Sequence, residues 1–188
     1  MLFRSKSLGV PTVFNVLGPL ANPAQPKVIA LGVAPKEKLP IMAKVVADRG
    51  GEGSAFRGDD GIDELTLATT STVIQIKNGE MTTQVFDPQE IGIEFSPLSA
   101  LVGGTPDINA KIIRRVFAGE EGPVREAILL NAAIAIAAFK GDFHLGLNQQ
   151  IANGYVLAKQ AVDSGKAEDL LEKWSKLTQE LSPANNSK

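Results

Sequence analysis

Two short apolar runs joined by a helix-like stretch constrain the fold of this chain most. Lys27–Val33, KVIALGV, is a run of strand length between breakers, and Ser54–Arg57 carries a second strand-like signal. Between them Pro35 stands at a first helical position, and Lys36–Arg49 places apolar residues at Leu39, Met42, Ala43, Val46 and Ala47. Gly50-Gly51 then stops the helix. This is a β-α-β unit, which favours a parallel strand pair with a right-handed crossover. The fold class is therefore α/β.

The second strand runs into Gly58-Asp59-Asp60-Gly61, a cluster of turn residues, and the loop then delivers an adjacent carboxylate pair, Asp63 and Glu64. In an open α/β sheet, ligands bind at loops beyond the carboxyl ends of the strands. Mg²⁺ takes oxygen ligands, commonly one or two carboxylates, and lets waters and substrate phosphates complete its shell. Asp63 and Glu64 therefore suit a magnesium that arrives with a phosphorylated substrate. The other reading is an acidic, solvated turn with Asp63 capping a short helix, and spacing alone favours it.

Upstream, Pro11–Pro23, PTVFNVLGPLANP, crowds prolines around apolar residues. A helical turn at Thr12–Leu17 is expected to end near Gly18, because Pro19 and Pro23 do not suit a regular helix interior. Asn15 and the Gly18 amide could face a ligand from so rigid a loop. The residues alone favour a buried connection in which Asn15 satisfies backbone groups.

Downstream, Ser71–Lys77 and Thr82–Phe86 alternate polar and apolar residues around Asn78-Gly79-Glu80, a hairpin read as an architectural flap. Thr105 and Pro106 open a helix running to about Phe117. Its Arg114 and Arg115 read as solvated surface charges rather than phosphate ligands. Gly122-Pro123 opens another helix, apolar nearly all round after Arg125 and so expected to be buried and central. Its alanines permit close helix approach, and Asn131 reads as a satisfied core amide. Helices over roughly Leu145–Ser164 and Ala167–Leu181 follow, the last anchored by Trp174, with His144 facing solvent between helices.

Composition removes several kinds of chemistry. The 188 residues include no cysteine, so thiol nucleophiles and thiolate metal ligands are excluded, and the single histidine cannot build a cluster. Nineteen basic and 21 acidic residues are mixed along the chain, with no basic stripe for nucleic acid. The longest apolar run, Ala132–Phe139, falls far short of the roughly 20 residues a membrane span needs. No secretory signal is visible, which reads as a cytoplasmic chain.

Three ordered stretches carry a resemblance. They are Gly9–Pro23 (GVPTVFNVLGPLANP), Phe56–Leu65 (FRGDDGIDEL) and Gly122–Ala133 (GPVREAILLNAA). Val162–Gly165, VDSG, stands where the family has IDSG. The chain resembles the carboxy-terminal part of anthranilate phosphoribosyltransferases from about Lys6 to about Leu181, and its GVPT and FRGDDG forms are most similar to actinobacterial members. The resemblance implies the incomplete large domain of a nucleoside phosphorylase/phosphoribosyltransferase-like fold: a partial parallel sheet, a β-hairpin and several packed helices. It implies transfer of a phosphoribosyl group from phosphoribosyl pyrophosphate to the amine of anthranilate, with Mg²⁺ and loss of pyrophosphate, in a protein that is a homodimer when complete. Carried over by position, Asp63 and Glu64 match the family's magnesium-binding pair. Asn15 and Gly18 match the FN and GPL positions close to the anthranilate tunnel. No residue is assigned as catalytic.

The departures shape the expectation as much. The family's GTGGD loop, its KHGNR segment and its helical amino-terminal domain have no counterpart in these residues, which reads as a fragment inactive alone. The alternative is a non-catalytic α/β interaction module derived from the family. Where the family has an arginine for the anthranilate carboxylate, this chain has Ser5, with Arg4 one place out of register. Met1–Ser5 is therefore expected to be a non-native leader, residues 6–181 the phosphoribosyltransferase part, and 182–188 a frayed tail.

Overall fold

The computed structural model describes residues 18–182. The expected leader at Met1–Ser5, the expected turn at Thr12–Leu17, Asn15, and residues 183–188 of the tail expected over 182–188 lie outside the described residues. Residues 18–20 are helical, so Pro19 and Leu20, expected beyond the end of a helix, lie within helical backbone.

The β-α-β unit is present. Strand β1 (Val28–Gly32) pairs in parallel with β2 (Glu52–Gly58), and between them runs helix α1 (Leu39–Asp48), entered through a 3₁₀ turn at Lys36–Lys38. The α-helical part starts later than Pro35 because Pro40 takes one of its first two positions, where the missing N–H costs no helical bond.

The hairpin departs from the expected flap. Strands β3 (Ser71–Lys77) and β4 (Glu80–Phe86) extend the sheet in the order β1-β2-β3-β4, and β3 is antiparallel to both its neighbours. The turn between them has φ of 51° at Asn78 and 79° at Gly79, the left-handed pair that suits a two-residue hairpin connection. The physical reason is that both faces of β3 are packed. Val73 joins the core beneath the long helices, while Ile74 and Ile76 join the core beneath α1. Alternation here separates two interiors rather than an interior from water. Strand β4 forms an exposed edge, with Val85 64% accessible.

The sheet thus lies between two layers. On one face α1 packs Leu39, Met42, Ala43 and Val46 against Leu31 and Ala55. On the other, α3 (Pro123–Lys140) and α4 (Leu147–Asp163) supply Leu130, Ala133, Ile134 and Ile151 against Phe56, Val73 and Phe86. The expected close approach of helices occurs at Gly154, where an added Cβ would fall 2.3 Å from the Ala133 carbonyl oxygen. Arg125 is itself buried, ion-paired to Asp163 on α4.

Helices α2 (Pro106–Phe117) and α5 (Lys166–Glu180) lie outside these layers. Thr105 occupies the N-cap position of α2 but makes no side-chain capping bond. Arg114 pairs with Glu172 at 2.6 Å and Arg115 with Glu120 at 2.8 Å, both in solvent. Trp174 is not an anchor: it is 64% exposed, and α5 has no buried residue at all. The helix meets its neighbours along one margin, leaving the Trp174 face uncovered. No helix among the described residues is long and apolar enough to cross a membrane.

Candidate metal and substrate site

Strands β1 and β2 run in parallel, so their carboxyl ends lie together at Gly32 and Phe56–Gly58. The chain leaves β2 at Gly58 and turns back at once, with the Gly61 amide donating to the Gly58 carbonyl at 2.9 Å. The Gly58 amide in turn donates to the Ile62 carbonyl at 3.0 Å. These bonds close a tight loop, and φ of 105° at Gly61 gives the reason for glycine there.

The four acidic side chains of this loop divide into two pairs. Asp60 accepts from the Thr66 hydroxyl at 2.6 Å, and Asp59 accepts from Thr70 at 2.6 Å and Thr72 at 2.8 Å. Arg57, buried at the end of β2, lies 3.7 Å from Asp59 and donates to the Ala34 carbonyl at 3.1 Å. Asp59 and Asp60 are thus occupied in holding the loop. The side chains of Asp63 and Glu64 make no hydrogen bond or ion pair among the described residues, and both residues are exposed. No helix follows Asp63, so the capping reading of this residue does not hold; residues 61–70 are irregular.

The free pair carries an electrostatic load. The Glu64 carboxyl is held above the ordinary glutamate range, first by partial desolvation against the protein and then by the charge of Asp63. A cation shared by the two groups would relieve both effects. No group of three or more histidine, cysteine, aspartate or glutamate side chains among the described residues could cage a metal. Two adjacent carboxylates with no protein partner among the described residues suit a hard cation that takes few protein carboxylates and completes its shell from water and an anionic ligand, the pattern of Mg²⁺.

Backbone contacts seat the pair. Asn131, on α3, accepts from the Leu65 amide at 2.8 Å and donates to the Leu65 carbonyl at 3.0 Å. It also donates to the Ala127 carbonyl at 3.0 Å, which satisfies the amide completely on its donor side. The reading of Asn131 as a satisfied core amide holds; that its partner is the loop carrying Asp63 and Glu64 was not legible in sequence. The signal available was one amide in an otherwise apolar helix.

Gly18 does not join this pair. Arg49, at the end of α1, donates to the Leu20 carbonyl at 2.5 Å, which ties the helical residues 18–20 to the end of that helix. A cavity of about 670 Å³ lies there, lined by Pro19, Leu20, Arg49 and Gly51, at the end of the sheet opposite Asp63.

A profile described as "Glycosyl transferase family, a/b domain" matches residues 2–168. This chain belongs to that glycosyl transferase family. Within the family it is 50% identical over 176 residues to the anthranilate phosphoribosyltransferase of Rhodococcus opacus (strain B4) and 49% identical to that of Rhodococcus jostii (strain RHA1). Each match covers 94% of this chain and 49% of the relative, so the chain spans about half the length of the curated relatives it matches. Solved glycosyl transferases of the same kind share the fold. Anthranilate phosphoribosyltransferase from Thermus thermophilus superposes with a TM-score of 0.78 at 36% identity, over 90% of this chain and 48% of that one. The Saccharomyces cerevisiae protein in complex with PRPP and Mg gives 0.79 at 33% identity, over 89% and 47%. The sheet and helices described above are thus the α/β domain of this family in part.

Proposed function

We propose that this chain is part of an anthranilate phosphoribosyltransferase, transferring a phosphoribosyl group from phosphoribosyl pyrophosphate to anthranilate in tryptophan biosynthesis. The observation that carries the reading is the free carboxylate pair of Asp63 and Glu64 at the carboxyl end of β2, in a chain half identical to proteins of that name. In this reading Asp63 and Glu64 hold Mg²⁺, in keeping with solved relatives described with Mg and PRPP. The bound cation supplies neutralising charge to pyrophosphate as it leaves. Asp63 and Glu64 thereby fix where the pyrophosphate end of the donor sits. The amine of anthranilate is the nucleophile, so the chain needs no cysteine or triad, and orientation of the two substrates does the work.

The same reading gives Asn15 and Gly18 to the anthranilate side. Their assignment rests on the match to the FN and GPL positions, since Gly18 stands apart from the carboxylate pair. The complete protein is a cytoplasmic homodimer, and these residues alone lack the GTGGD and KHGNR segments and turn over no substrate.

The test is genetic. The complete reading frame containing this chain should restore growth without tryptophan to a host lacking anthranilate phosphoribosyltransferase, and the frame carrying Asp63→Asn with Glu64→Gln should not. Failure of the unmutated frame, expressed and folded, would overturn the proposal.

A further inference from the structure

The two carboxylates are fixed from outside their own loop. Asn131 grips Leu65 through both its N–H and its C=O, a closed two-bond pairing between a helix side chain and the loop backbone. Leu65 is fully buried, so those backbone groups have no water to turn to if the amide is lost. On the other side Gly32 lets the Asp63 carbonyl lie directly against the end of β1, where an added Cβ would fall 1.7 Å from it. Residues 63–65 are therefore held at both ends, while the side chains of Asp63 and Glu64 stay free.

We infer that Asn131 is a positioning residue for the Asp63–Glu64 pair, setting its backbone so that both carboxylates reach one cation. The inference rests on the reading of that pair as a metal site. A carboxylate's ligand geometry depends on the groups that hold its backbone, and loss of such an outer partner typically weakens metal affinity by 10–100-fold. Asn131 suits the role because one planar amide offers an acceptor and a donor along the same edge, which match the N–H and C=O of a single residue. Its third bond, to Ala127 one helical turn back, locks the amide against flipping.

The experiment uses the ¹⁵N-labelled chain, with Mn²⁺ as a paramagnetic probe. In Asn131→Ala, the amides of Asp63 and Glu64, neither bonded to Asn131 directly, should fall from rigid order parameters to below about 0.6, with β2 and β3 unchanged. Broadening at these amides should need about tenfold more Mn²⁺. Asn131→Asp keeps the size and the acceptor for Leu65 but loses the donated bonds, so it should lie between the two. Wild-type order parameters at Asp63 and Glu64 in either folded variant would overturn the inference. So would global unfolding of both variants, which would make Asn131 a residue of the fold and not of the site. If the unmutated chain shows no Mn²⁺ broadening at the loop, the metal reading falls, and the order parameters still decide whether Asn131 positions the segment.

Discussion

The carbonyl of Asp63 rests against Cα of Gly32, so close that a methyl group on that carbon would sit 1.7 Å from the oxygen. A glycine at the end of a strand usually invites an argument from backbone freedom. Gly32 has an ordinary strand conformation, and its requirement is space. Gly32→Ala must move either β1 or the acidic loop. It should destabilise the chain by about 1–3 kcal/mol, the range for overpacking. Chemical denaturation, with chemical shifts recorded across residues 60–66, checks this. An unchanged midpoint with an undisturbed loop would show that the contact is soft.

Neutralising the free pair should leave the fold alone. Asp63→Asn with Glu64→Gln removes two exposed charges that hold nothing among the described residues, so stability should shift by no more than about 0.5 kcal/mol. In the complete protein the same change should reduce activity to near background, because the metal proposed for this pair needs its charge. A large loss of stability would return the pair to a structural role.

Asp163 gives the chain a pH-dependent tie. Its carboxyl is held below the ordinary aspartate range, first by the hydrogen bond from buried Arg125, against some desolvation, and then by the charges of Arg125 and Lys159. A depressed folded pKa means stability present above the unfolded value, about 3.9, and lost as pH falls through the folded one. Asp163→Asn should therefore melt at a lower temperature than the wild type at neutral pH. The gap should narrow as the pH is lowered through the carboxylate range. Thermal melts from about pH 7 to about pH 2 measure it, and a gap that stays constant or widens in acid would contradict the ion pair.

Trp174 is the sole tryptophan, and 64% of its surface is open. Its fluorescence should resemble free tryptophan and be readily quenched by iodide. Blue-shifted emission with poor quenching would mean that the face formed with Leu170 and Leu177 is covered in solution.

Much of the architecture was determined by the sequence alone, through local rules. The spacing of Lys27–Val33, Pro35, Gly50-Gly51 and Ser54–Arg57 specified a parallel β-α-β unit, because strand length, helix period and breakers act over a few residues. Asn78-Gly79 specified the hairpin for the same reason, since only residues tolerant of positive φ fit its turn. The motif stretches carried the family.

Tertiary structure decided what depends on which surfaces meet. Whether the hairpin became a flap or the middle of a sheet turned on two helical layers covering β3, and the alternation of Val73 with Ile74 is the same in either case. Whether Trp174 anchored α5 turned on what lies opposite it. The division of labour among the loop acids belongs here too: Asp59 and Asp60 bind threonines across the turn, which leaves Asp63 and Glu64 free. The seat of that pair is built by Gly32 and by Asn131, and Asn131 stands 66 residues from Leu65 in the chain. A hydrogen bond between such distant partners is set by how α3 packs on the sheet, and no local pattern encodes it.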